Sequence, residues 1–97
     1  MDQPEGIRVS IYDQLYYLRS EEADRAYMRS VASYVDQKMH SIAAATSTTD
    51  SYRIAVLAAL HITDELMRLR QDHERLQQQV HAKSIQYVAL LDDALRR

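Results

Sequence analysis

The sequence has no cysteine, tryptophan or phenylalanine, and only one glycine and one proline. Without cysteine it can form neither disulfides nor thiolate metal sites, which suits a reducing compartment. Pro4 and Gly6 both precede the first apolar segment, so no strong breaker interrupts the chain beyond Gly6. A glycine-rich phosphate loop is also excluded, because close backbone approach to phosphate needs glycine. Charge of one sign is lacking too: 14 acidic and 12 basic residues leave a formal charge of −2. A nucleic-acid surface needs clustered Lys and Arg, so none is expected. The first ten residues lack the apolar stretch of a secretory signal. No apolar run reaches the ~20 residues of a membrane span. The expectation is a soluble cytoplasmic protein without membrane insertion.

What is present suggests a small head and a long helix. A chain of 97 residues holds one modest core, so oligomerisation is a natural source of further stability. Residues 1–6 are polar and expected to be a disordered N-terminus. Next, Ile7, Val9 and Ile11 alternate with Arg8, Ser10 and Tyr12, the period of a half-buried strand. A second short run, Leu15 to Arg19, comes after Asp13 and Gln14, which suggests a hairpin turning at those two residues. With that turn, Val9 faces Leu18 and Ile11 faces Tyr16 on the inner side. Arg8, Ser10, Tyr12, Leu15, Tyr17 and Arg19 then lie outside. Arg8 stands opposite Arg19, a like-charge pair that costs stability unless something compensates. An acidic partner would compensate; an ordinary solvated sheet face accounts for the same residues.

Ser20 is a good N-cap, and Glu21 and Glu22 complement the first turn of a helix. Ala23, Tyr27, Val31, Tyr34, Val35, Met39 and Ile42 form an apolar stripe, which predicts an amphipathic helix over 21–44. Tyr16, Tyr27 and Tyr34 are expected on core faces. The segment 45–50, "ATSTTD", reads as a polar linker, with Asp50 or Ser51 capping a second helix. That helix meets no Gly or Pro from Tyr52 to Arg97. At ~1.5 Å per residue it extends ~65 Å, too long to bury itself on its own head. Along it, Ile62, Leu66, Leu69, His73, Leu76, Val80, Lys83, Tyr87, Leu90 and Ala94 keep a four-three spacing, the seam of a coiled coil. Ile85, Val88, Leu91 and Leu95 widen the apolar face near the end, which favours more than two helices there.

The expected fold is therefore α+β but mainly α and homo-oligomeric. A β-hairpin and helix dimerisation head over 7–61 leads into a coiled-coil tail over 62–97, continuous with the second helix. Ile54, Leu57, Ala58, His61 and Ile62 are expected interface positions at the junction. Leu66, Leu69, His73, Leu76, Val80, Tyr87 and Leu90 continue that interface along the seam.

Chemistry has few candidates. In "AALHITDEL", His61 and Glu65 stand four apart on one helical face. A catalytic zinc site needs three protein ligands and an open position, and no third ligand has suitable spacing. Packing beside the seam outweighs the metal reading. His73 in the seam is better read as a polar register position than as a pH sensor. No Ser/His/Asp order or paired carboxylate stands out. No enzyme, cofactor or metal is expected.

Four stretches then carry a resemblance: "IRVSIYDQLYYL" for the hairpin, "YVDQKM" within the first helix, "RIAVLAALHITDEL" opening the second, and the heptad tail. In order and spacing they resemble the ZapA family of bacterial cell-division proteins. The resemblance implies a head that dimerises and coiled coils that join two dimers into an elongated tetramer. It implies binding to the tubulin-like division GTPase FtsZ, bundling of its protofilaments and stabilisation of the division ring at midcell. It also implies no catalytic residues and no cofactor. Arg25 matches a charged head position that carries FtsZ contact in the family. Gln14 replaces a common Arg, Tyr52 replaces an acid, Asp13 replaces the usual turn Gly, and His61 replaces an Asn. Arg8, Tyr17, Arg19 and Arg25 are the resulting FtsZ-contact candidates. Three other readings remain: a coiled-coil homo-oligomeric adaptor for a different protein, a metalloenzyme at His61 and Glu65, and, last, a DNA-binding helical dimer.

Overall fold

A computed structural model of the chain describes residues 5–96. The elements run β1 (Gly6–Ile11), β2 (Gln14–Arg19), a short 3-10 turn (Glu22–Asp24), α1 (Arg25–Thr46) and α2 (Ser51–Leu95). Two compact units divide the chain, one through Ile62 and one from Thr63. Of the N-terminal segment expected to be disordered, residues 1–4 lie outside the described residues. Gly6, by contrast, is a strand residue paired with Arg19. Its side of β1 lies so close to β2 that a Cβ on Gly6 would sit 2.6 Å from the Leu18 carbonyl oxygen.

The hairpin turns one residue earlier than expected. β1 and β2 are antiparallel, with Ile11 opposite Gln14, Val9 opposite Tyr16 and Ile7 opposite Leu18. Tyr12 and Asp13 form the turn, both with positive φ (50° and 65°). Two such residues in a two-residue loop make the mirror-image turn that matches strand twist. Tyr12 is therefore a turn residue rather than an outer-face one. Because the register moves by two residues, each remaining strand residue keeps its face. The Arg8–Arg19 like-charge pair disappears: Arg8 stands opposite Tyr17, and Arg19 opposite Gly6.

Tertiary contact explains this turn. Tyr12 is bulky for a left-handed conformation, and as the first loop residue its N–H has no ladder partner. Asp36 on α1 supplies one, its carboxylate accepting the Tyr12 N–H at 2.7 Å. The Tyr12 ring meets the His40 ring one helical turn on, with centroids 5.0 Å apart. It also packs against the cluster of Met39, Ile54 and Ala58.

The head core consists of two small clusters. Ile7, Val9 and Ala32 form one, with Ile11, Leu18 and Met28 around it. Met39, Ile54 and Ala58 form the other, joined by Ile11, Tyr12, Val35, Ile42 and Ala43. Ile11 touches both clusters. The face of α1 that meets the hairpin thus includes Met28 and Ala32, neighbours of the stripe read from sequence. Tyr16, Tyr27 and Tyr34, expected on core faces, are 47, 61 and 44% exposed. The apolar surface of α1 is wider than one stripe, and a two-stranded hairpin covers only part of it.

Helix boundaries depend on local capping. Ser20 does not cap α1; its hydroxyl donates to the Glu21 carbonyl instead, and α1 begins only at Arg25. At its other end Ser47 adopts φ 55° and donates its N–H to the Ala43 carbonyl, a left-handed cap without glycine. Asp50 caps α2, its carboxylate accepting the N–H groups of Tyr52 and Arg53 at 3.1 and 3.5 Å.

Two substitutions test this packing by urea unfolding at fixed protein concentration. Gly6→Ala drives a methyl into the Leu18 carbonyl and should cost about 1–3 kcal/mol. Asp36→Ala strands the Tyr12 N–H and should cost about 1–3 kcal/mol.

Candidate interaction surfaces

Three surfaces carry the candidate residues. The first is the outer face of the hairpin. Arg8 lies over the Tyr17 ring, its guanidinium carbon 5.0 Å from the centroid, and also donates to the Tyr17 hydroxyl. Cation–π stacking and a hydrogen bond together hold this pair as one unit. Arg19 lies two residues from Tyr17 and so on the same face of β2. It pairs with Glu5 at 3.4 Å, both side chains mostly in solvent, where such a pair contributes little to stability. Arg25 opens α1 and shares an open cleft with Arg19, lined also by Glu5, Ser20, Glu21 and Glu22. Strand register thus brings Arg8, Tyr17 and Arg19 together, and the 3-10 turn returns Arg25 to Arg19. The cleft mixes signs, so it is no simple basic patch.

The second surface is an apolar groove on the head, lined by Tyr27, Ser30, Val31, Tyr34, Val35 and Ile62. Sequence reasoning placed all but Ser30 in core or interface stripes without seeing that one chain leaves them as a groove. Val31 is 40% exposed. The available signal was the width of the α1 stripe, which exceeds what two strands cover. Val56 and Leu60 of α2 are also exposed, and neither was an expected interface residue. Ile54 and Ala58 were, but at 0 and 2% exposure they belong to the core of this chain. Their side chains pack with Met39 and Tyr12, so neither is available to a second chain. Leu57 and Ile62 are half-buried and His61 is exposed.

The third surface lies in the unit from Thr63 onward. Leu66, Leu69, Leu76, Val80, Tyr87 and Leu90 are all exposed, as are Ile85, Val88, Leu91 and Leu95. His73 and Lys83 are exposed with them. Exposed ion pairs such as Arg68–Asp64 at 3.0 Å and Arg96–Asp92 at 3.2 Å sit along the same unit. His73 and Lys83 interrupt this apolar line, but exposed apolar residues in such number are unusual on a monomer.

Among the described residues no three His, Cys, Asp or Glu side chains come together as a metal site. None of the described helices is long and apolar enough to cross a membrane.

With this geometry in view, comparisons point one way. The family model described as Cell division protein ZapA matches residues 7–95. A ZapA of Bacillus thuringiensis strain Al Hakam is 32% identical over 90 residues, covering 89% of this chain and all of that protein. A ZapA of Geobacillus sp. strain WCH70 is 35% identical over 79 residues, covering 81 and 90%. Among solved structures, an unknown conserved bacterial protein from Pseudomonas aeruginosa PAO1 aligns with TM-score 0.66 at 32% identity, covering 96 and 99% of the two chains. A ZapA mutant dimer from Geobacillus stearothermophilus aligns with TM-score 0.61 at 35% identity, covering 80 and 91%.

For the His61 question, elemental analysis of chelator-free protein should find zinc far below one per chain. A stoichiometric content would reopen the metal reading.

Proposed function

This chain belongs to the ZapA family of cell division proteins, and on that premise we propose that it is a non-enzymatic cross-linker of FtsZ. In this reading it binds FtsZ in the cytoplasm, bundles its protofilaments and stabilises the division ring at midcell. It needs no cofactor, and it works as a homodimer that pairs again into a tetramer.

One observation carries the reading most: the apolar line from Leu66 to Leu90 is exposed along the outer part of α2. A second copy burying that line converts it from a solubility liability into a coiled-coil interface. The groove of Tyr27, Val31, Tyr34, Val35 and Ile62 is a matching apolar surface on the head. In the proposed assembly the head groove and Leu60 join two heads, and the seam joins helices. The proposed division into a head and a tail has the same logic, since the head supplies contacts and the tail supplies valency. The wide apolar face formed by Tyr87, Val88, Leu90, Leu91 and Leu95 suits a bundle of more than two helices. An assembly with several heads holds more than one filament, and individually weak contacts gain from effective concentration.

The test uses the full chain. Leu76→Asp combined with Val80→Asp places carboxylates in the seam. The mass by light scattering should fall below that of the wild type, and bundling of FtsZ polymers should drop several-fold. Co-sedimentation of the variant with FtsZ should persist through the intact head. Unchanged bundling by the variant would remove the valency mechanism. No co-sedimentation of the wild-type chain would favour a coiled-coil adaptor for a different partner.

A further inference from the structure

The two edges of the hairpin are finished differently. A two-residue mirror-image turn makes its flanking residues, Ile11 and Gln14, a hydrogen-bonded pair. Alternation then makes Val9–Tyr16 and Ile7–Leu18 hydrogen-bonded pairs too, and the bond from Ser20 N–H to the Glu5 carbonyl at 2.8 Å continues the series. The intervening residues point their N–H and C=O groups away from the ladder. On β1 these are Gly6, Arg8 and Ser10; on β2 they are Leu15, Tyr17 and Arg19.

The β1 edge is partly closed: Arg29 of α1 donates to the Arg8 carbonyl at 3.3 Å. On the β2 edge, no hydrogen bond among the described residues reaches the outward groups of Leu15, Tyr17 or Arg19. Natural edges are usually blunted by proline, lysine or a bulge, and β2 has none of these. Three of its five exposed residues are apolar or aromatic: Leu15 at 67%, Tyr16 at 47% and Tyr17 at 56%.

We propose that the outer edge of β2 receives an extended segment of the FtsZ polymer as a third strand of the sheet. This inference rests on the proposed partnership with FtsZ and specifies its mode. Main-chain bonds to Leu15, Tyr17 and Arg19 supply the affinity, and side chains select the segment, as in strand addition generally. The chemistry fits a segment with apolar side chains beside Leu15 and Tyr17 and a carboxylate beside Arg19. Arg19 is the only charged residue of β2, and Arg8 adds a second cation on the same face. Arg19 meets Glu5 through one nitrogen and has other donors to offer. β2 itself carries no carboxylate, so a second copy could answer Arg19 only from the flanking turn or the segment after the strand, whereas a heterologous strand can place a carboxylate beside it within the ladder.

The primary test is residue-resolved amide exchange of the full chain with and without FtsZ polymers. Exchange at Leu15, Tyr17 and Arg19 should slow by at least about tenfold, while Gly6, Arg8 and Ser10 stay as they were. Protection elsewhere on the head, with these three amides unchanged, overturns the proposal. A variant pair supplies the second readout. Leu15→Pro removes an outward donor without touching the β1–β2 ladder, and Leu15→Val keeps that donor. The first should weaken co-sedimentation by about tenfold and the second by less than about threefold.

Equal binding by both variants, or equal loss, overturns strand addition. A changed mass for Leu15→Pro assigns the edge to a second copy and does the same. Should Leu15→Pro fail to fold, the wild-type exchange measurement decides alone. If the wild-type chain does not co-sediment, the partnership fails and the proposal fails with it. If it does and the β2 amides stay unprotected, only strand addition fails.

Discussion

The carboxylate of Asp36 on the amide of Tyr12 is the contact on which the rest of the head depends. It holds a bulky residue in a left-handed turn that local sequence does not favour. That turn sets the register of β1 against β2. Register in turn places Ile7, Val9 and Ile11 over α1, where Ile11 joins the two core clusters. The same α1 segment supplies His40 against the Tyr12 ring and Met39 in the cluster that ring packs on. The hairpin is thus positioned by the helix it packs on, as expected for two strands too few to be stable alone.

The head has little core of its own. Its two clusters bury six hydrophobic residues, and α1 keeps an apolar groove uncovered. A chain of this size gains further stability most directly from a second copy. In the proposed assembly the groove and the seam meet that need together. The proposed contact with another protein then lies on the hairpin, where Arg8 and Tyr17 form one unit.

Much of this was legible in the sequence. Alternation at Ile7, Val9 and Ile11 marked the first strand, and the four-three spacing from Ile62 to Ala94 marked the seam, because both periods come directly from backbone geometry. The Asp50 cap was legible from its side chain, and the ZapA resemblance came from the order of such segments. The turn was harder, since neither Tyr12 nor Asp13 is the glycine or asparagine that usually announces it. The Arg8–Arg19 apposition was misread for the same reason: a register shift of two residues removes it without moving either side chain to the other face. Ile54 and Ala58 were misassigned because an apolar helical position does not say whether its partner lies in the same chain.

The sequence by itself determined which segments are strand and helix, which face of each is apolar, and that these residues hold no cysteine for thiolate chemistry and no glycine-rich phosphate loop. These depend on composition and local period. Only the tertiary structure decided where the hairpin turns, which apolar residues one chain buries for itself and which it leaves for others. Those outcomes depend on one carboxylate reaching one amide across 24 residues of sequence, and on how much of α1 two strands can cover.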